Sequence, residues 1–172
     1  MTARDRRHTL AAIGTALLAR DGGPGERRAA ALRRRLAGGP ATALSFEDLP
    51  AVPSWARLPH AARRQIAHRA ALASIAPTLA VTIDGAVLRD HAAVAGEEAL
   101  DWAIAQADRL PADAGLPAVD AAGLDARGLA LMRATLPENM RCLVDPGAEP
   151  IDPPRALAEA CVAAAIEGAA TS

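Results

Sequence analysis

The sequence predicts an all-α protein, a single-domain bundle of about seven or eight short helices. Apolar residues recur three or four positions apart along most of the chain, which is the spacing of one helix face. Alanine is the commonest residue, and its small side chain suits close packing of helices. The 13 glycines and 13 prolines divide the 172 residues into short segments, so a long coiled coil is not expected.

Residues 1–40 are predicted to form a basic pair of helices. The first helix, over 3–20, has leucine and isoleucine along one stripe, and a run of glycine and proline at 22–25 ends it. The second helix, over 26–36, has leucine and alanine on one side and arginine over the rest of its surface. Two glycines and a proline at 38–40 end this helix.

The central core is predicted to span residues 54–144. Pro59 suits the first turn of one helix, because proline is common at that position. Glu97 and Glu98 suit the first turn of another helix, because acidic side chains are favourable near a helix N-terminus. A last alanine-rich helix is predicted at 153–168, beyond a linker that contains prolines. The helices expected within the core are at about 59–75, 86–95, 97–109 and 120–136, with a short helical piece after Pro137.

Residues 79–88 allow two interpretations. Small and large apolar residues alternate up to the Asp84-Gly85 pair, and such a pair between alternating apolar residues is typical of a hairpin turn. In the helical interpretation, a helix that starts at Pro77 ends before Gly85, and a new helix begins at Ala86. We favour helices over the small hairpin, because an isolated two-stranded ribbon is marginally stable and no other segment resembles a strand.

The residues needed for several kinds of catalysis are missing. The 19 basic side chains counted as lysine or arginine are all arginine, so a phosphate-binding loop or a Schiff-base enzyme lacks its lysine. Tyrosine is absent, and no G-x-S-x-G, H-E-x-x-H or C-x-x-C motif occurs. His60 and His68 lie eight residues apart, whereas metal ligands on one helix usually lie closer. We therefore expect a non-enzymatic protein with no catalytic residues, metal site, cofactor or small-molecule substrate.

Charge is distributed unevenly along the chain. Residues 1–40 carry nine arginines against three acids, a net charge of +6, whereas residues 41–110 and 111–172 carry −2 and −5. The arginine-rich helix follows another helix across a glycine turn, as in helix-turn-helix proteins, so a DNA-binding regulatory protein is the alternative function. Nucleic acid is the less favoured partner, because the pI is about 6.4 and the basic region lacks aromatic residues that stack on bases.

A cytoplasmic location is expected. The sequence shows no signal-peptide pattern, and no apolar run approaches the ~18 residues that cross a bilayer. Cys142 and Cys161 are too few for a disulfide framework, so both are expected to be free thiols in a reducing compartment.

Two stretches resemble a known family. Residues 69–104 read RAALASIAPTLAVTIDGAVLRDHAAVAGEEALDWAI, and residues 127–144 read RGLALMRATLPENMRCLV. The first is similar to the central part of the SctK (YscK/HrpD) group, the cytosolic accessory proteins of type III secretion sorting platforms. The second is similar to a later helix of that group. The positions that match the group's pattern of leucine, glycine, acid and leucine are Leu88, Gly96, Glu98 and Leu100.

This resemblance implies a non-enzymatic adaptor with no catalytic residues to carry over. Such an adaptor links the cytoplasmic domain of a membrane-ring protein to the pod and ATPase-associated components below it. The partners implied are therefore other proteins of a secretion apparatus.

The residues of the sequence best suited to a protein interface are tryptophan and arginine, because these side chains often carry most of the binding energy. Trp55, on a proline-rich segment, is the candidate anchor; the alternative is that it fills the core between helices. Trp102 is expected to lie in the core. The arginines predicted to contact an acidic partner, or else to form solvated clusters, are Arg33, Arg34, Arg35, Arg63 and Arg64.

Overall fold

The computed structural model describes residues 2, 4, 5, 7–12, 48–110, 116–144 and 151–170. Within these residues the secondary structure is entirely helical and contains no strand, which confirms the predicted fold class. None of the helices in this part of the chain is both long and apolar enough to cross a membrane. The helix predicted at 26–36 lies outside the described residues.

The described ranges contain five complete α-helices and three short 3₁₀-helices. The α-helices are α1 (His60–Ala80), α2 (Gly85–Ala95), α3 (Glu97–Ala105), α4 (Leu124–Ala134) and α5 (Arg155–Ala170). The 3₁₀-helices are η1 (Leu49–Ala51), η2 (Ser54–Arg57) and η3 (Glu138–Leu143). The helices predicted at 59–75, 86–95, 97–109, 120–136 and 153–168 are therefore present, with ends that differ by a few residues, whereas the helix predicted to start at Pro77 is not a separate element.

Helical residues at 4, 5 and 7–12 belong to the first predicted helix. Thr2 and Asp5 form a reciprocal cap before it: the Thr2 N–H donates to Asp5 Oδ2 at 2.8 Å, and the Asp5 N–H donates to Thr2 Oγ1 at 3.2 Å. The bond from the Thr2 backbone lowers the pKa of Asp5 below its ordinary value, because it stabilises the carboxylate.

Helix α1 extends five residues beyond its predicted end at 75, through Ala80. The prediction was wrong because Pro77 lies inside α1 instead of starting a new helix. Proline removes one backbone hydrogen bond, but here it stands in the last turn, where Ile75, Ala76 and Leu79 are buried. The burial of these apolar side chains holds the turn in place, so tertiary packing overrides the local preference.

The small hairpin at 79–88 is absent. Asp84 instead caps the N-terminus of α2, where its Oδ1 accepts a hydrogen bond from the Ala86 N–H at 2.8 Å. The Asp-Gly pair therefore starts a helix and does not join two strands. The favoured interpretation, a new helix from about residue 86, is confirmed within one residue.

We expect Asp84→Ala to lower the free energy of unfolding by about 1 kcal/mol, because it leaves the Ala86 N–H without its side-chain acceptor. Urea unfolding followed by circular dichroism measures the change. Asp90→Ala is the matched control, since it removes the same charge from an exposed position of the same helix. Equal losses in the two variants would contradict the cap.

Helix α1 lies at the centre of the packing and contacts α3, α4 and α5. Two groups of buried side chains surround it. One joins α1 to η1, η2, η3, α4 and α5, and the other joins α1 to α3 and to Leu124 at the start of α4. The α1 residues that are less than 1% exposed are small or are leucine: Ala67, Ala70, Ala71, Leu72, Ala73, Ser74 and Ala76.

Alanine and glycine allow α1 and α4 to approach closely. A Cβ atom built on Gly128 would lie 2.8 Å from the Cα atom of Ala67 and closer still to the carbonyl group of that residue. The backbones of the two helices are therefore in direct contact at this crossing. No larger residue fits between them without a shift of one helix.

Trp102 is half-buried and packs against both groups of buried side chains, as expected for a core residue. Its indole lies over Gly168 of α5, where a Cβ atom would come within 2.7 Å of the indole Nε1. One turn earlier in α3, Glu98 accepts from Arg69 of α1 at 2.9 Å. These contacts fix α3 against both α1 and α5.

Candidate functional site

A cavity of about 150 Å³ lies beside the N-terminal half of α1. We call it the Trp55 pocket. Its apolar wall comes from three separate elements: Trp55 of η2, Leu129 and Met132 of α4, and Leu143 and Val144 at the end of η3. Four of these five side chains are buried, and Leu129 is half-buried. The pocket wall is therefore formed mostly by buried apolar side chains.

Local geometry places Trp55 at this wall. Pro53 and Pro59 flank η2, and the Leu58 N–H donates to the Trp55 carbonyl at 3.1 Å, which closes the short helix. Arg57 donates through Nη2 to the Val52 carbonyl at 3.2 Å and fastens the turn before it. These local bonds order the segment, and the Trp55 side chain is buried among the larger group of core residues.

The rim of the pocket is basic. His60, Arg63 and Arg64 lie on the first two turns of α1, at spacings of three and four residues that bring them to one face. Asp125 of α4 faces them, and its Oδ1 accepts from Arg64 Nε at 3.1 Å. This carboxylate is the only acid among the residues that line the pocket, so the rim carries a net positive charge.

Asp125 also binds His68, one turn further along α1 than Arg64. Its Oδ1 lies 3.2 Å from His68 Nε2, and the imidazole is buried. One carboxylate thus bridges two basic side chains on one face of α1. The bridge therefore links α1 to α4 beside the pocket.

Two of these residues were missed by the sequence analysis. Asp125 was not singled out, and His68 was considered only as a metal ligand. The two residues are 57 positions apart, and the sequence contains no pattern that pairs them. Arg64 and His68 are four residues apart and so share a helix face. This spacing was the available signal, because it suggests a search for an acidic residue that faces both.

The arrangement is suited to binding. An Asp–His pair can orient an imidazole for proton transfer, but it also needs a nucleophile or a substrate group at the other ring nitrogen. Asp125 is the side-chain partner that the structure gives to His68, and Cys161, the free thiol described, is buried in the core. Among the described residues, no group of three or more potential ligands could hold a metal ion.

Three of the six predicted partner-binding residues meet at this one cavity: Trp55, Arg63 and Arg64. Trp55 is only 4% exposed, so it belongs to the core, as the alternative interpretation stated, and it presents part of its ring to the pocket. Arg64 is exposed and Arg63 is half-buried. The other three, Arg33, Arg34 and Arg35, lie outside the described residues.

A second, wider cavity of about 820 Å³ lies between α2, α4 and residues 117–123. Its buried polar groups bind the backbone: His91 Nδ1 donates to the Val87 carbonyl at 2.8 Å, and Arg127 Nη2 donates to the Pro117 carbonyl. Both bonds hold chain segments in place. The Trp55 pocket is narrower and more apolar, so it is better suited to enclose one side chain.

Comparison of the chain with protein-family models, with curated proteins and with solved structures finds no match.

Proposed function

We propose that this protein is a non-enzymatic adaptor or assembly protein that binds a partner protein at the Trp55 pocket. The single observation that carries the proposal is the convergence of Trp55, Arg63 and Arg64 on one cavity. These residue types were predicted to bind a partner, and three separate structural elements line the cavity where they meet.

The size and charge of the pocket define what it binds. A cavity of about 150 Å³ with apolar walls can hold a six-carbon molecule such as benzene, so a branched aliphatic or small aromatic side chain fits. The basic rim of His60, Arg63 and Arg64 favours a carboxylate beside that side chain. The partner is therefore a protein segment in which a large apolar residue stands next to an acidic residue.

We propose type III secretion as the process and the cytoplasm as the location. The support is the resemblance of residues 69–104 and 127–144 to the sorting-platform accessory group. That group works through protein–protein contacts, which is the role proposed here for the Trp55 pocket. The partners would then be secretion-apparatus proteins.

The test is co-purification of the full-length protein from its native host, with the accompanying proteins quantified by mass spectrometry. Two variants remove positive charge from the rim or add negative charge to it: Arg64→Glu, which also breaks the ion pair with Asp125, and His60→Glu. The second is the safer change for folding, because an acid is favourable in the first turn of a helix. We expect each to reduce recovery of the partner by about tenfold.

Arg89→Glu is the control, because Arg89 is exposed on α2 and lies outside the pocket. It should leave the recovery unchanged. A set of proteins that is identical for the wild type and both rim variants would overturn the pocket as the binding site. Recovery of nucleic acid in a strongly salt-dependent way would instead favour the DNA-binding alternative.

A further inference from the structure

Among the described residues, the most exposed large hydrophobic side chains lie in the turn between α1 and α2. Ile83 is 101% exposed and Val81 is 77% exposed. We call residues Val81 to Asp84 the knob. Burial of large aliphatic side chains is favourable, so a partner that covers these two would gain binding free energy.

Hydrogen bonds order the knob on both sides of Ile83. The Thr82 N–H donates to the Leu79 carbonyl at 3.1 Å, and Thr82 Oγ1 donates to the Thr78 carbonyl at 2.8 Å. Asp84 is fixed by its cap on α2. A turn that is already ordered loses little conformational entropy when it binds, which favours its use as a rigid insert.

The chemistry of the knob matches the Trp55 pocket. Ile83 is a branched aliphatic residue, and the next residue is the acidic Asp84. This is the pair of properties that the apolar wall and basic rim of the pocket select. We propose that the knob of one copy of this chain inserts into the Trp55 pocket of a second copy, an inference that rests on the binding role proposed for the pocket.

The positions of the two surfaces determine the kind of assembly. The pocket lies at the N-terminal half of α1, and the knob follows its C-terminus. Helix α1 has 21 residues and is therefore about 31 Å long at ~1.5 Å per residue. A rigid helix of this length prevents a copy from filling its own pocket. Each copy instead presents one knob and one pocket, so the contact is head-to-tail and forms a chain or a ring.

Sedimentation equilibrium of the full-length protein tests the inference. We expect the average mass of the wild type to rise with concentration from about 0.1 mM, because a contact of one inserted turn is weak. Ile83→Asp should prevent the knob from binding, and the double variant His60→Glu/Arg64→Glu should prevent the pocket from binding a knob. Each variant alone should remain monomeric over the same range.

Mixing the two variants gives the decisive result. The Ile83→Asp copy keeps its pocket and the double variant keeps its knob, so an equal mixture should form a one-to-one dimer that grows no further. Knob-to-knob pairing predicts instead that the double variant, which keeps its knob, dimerises by itself and that the mixture contains no dimer of the two variants; either result would overturn the head-to-tail contact. Val94→Asp, at an exposed apolar position of α2 outside the knob, should assemble like the wild type.

The two proposals can fail separately. A wild type that stays monomeric up to about 1 mM would overturn the self-association. If rim variants still lose host proteins in that case, the pocket binds a different protein and the proposed function stands. If the mixture forms its dimer and the recovered host proteins are unchanged by the rim variants, the pocket serves self-association alone.

Discussion

Gly128→Ala is expected to lower the free energy of unfolding by about 3 kcal/mol or more, one of the two largest effects in this chain. The added methyl group would overlap the backbone of Ala67 where α1 crosses α4. A flexible side chain could move aside, but a helix backbone in the centre of the core cannot do so without separating the two helices. Urea or thermal unfolding followed by circular dichroism measures the loss.

Gly85→Ala is the matched control for this substitution. Its new Cβ atom would lie 3.4 Å from the end of the Arg89 side chain, an ordinary contact with a group that can move. Alanine is also the better helix former, so this variant should be neutral or slightly stabilised. If both glycine variants unfold alike, the close contact between α1 and α4 is not present in solution.

Trp55→Ala is expected to lower the free energy of unfolding by about 3–5 kcal/mol. The indole is 4% exposed and belongs to the larger group of buried side chains. Its removal exposes apolar surface and leaves a cavity continuous with the Trp55 pocket, which the rigid neighbours cannot fill. Unfolding is best followed by far-ultraviolet circular dichroism, because the substitution removes one of the two tryptophans and so changes the fluorescence signal itself.

Leu58→Ala is the control, because Leu58 follows η2 directly but is 38% exposed. It should cost about 0.5 kcal/mol or less, as surface substitutions do. A Trp55→Ala variant as stable as this control would mean that the indole lies outside the core. The interpretation of Trp55 as a surface anchor would then be correct.

The turn at Asp84 shows how far local signals reach. An Asp-Gly pair is typical both of a hairpin turn and of a helix start, and the local sequence fits both. Local helix signals elsewhere in the core had one dominant reading, so α2 to α5 appear close to their predicted positions. The end of α1 was misplaced for the related reason that burial of Ile75, Ala76 and Leu79 outweighs the effect of Pro77.

The candidate site also has a part that the sequence indicated and a part that it did not. Residue type alone indicated Trp55, Arg63 and Arg64, since tryptophan and arginine are the usual interface residues. The bridge from Asp125 to Arg64 and His68 was not predictable, because it joins residues of different helices that are separated by many positions in the chain. The same limit applied to Gly128, whose need for a small residue comes entirely from Ala67 on the facing helix.

The sequence by itself determined the helical class, the order of the core helices and the residue types available for binding. These properties depend on periodicity, capping and composition, which act over a few neighbouring residues. Only the tertiary structure decided that Trp55 is a core residue bordering a basic-rimmed cavity, that Ile83 projects into solvent, and that both occur at opposite ends of α1. Such features depend on which helix faces meet, and distant residues determine those contacts jointly.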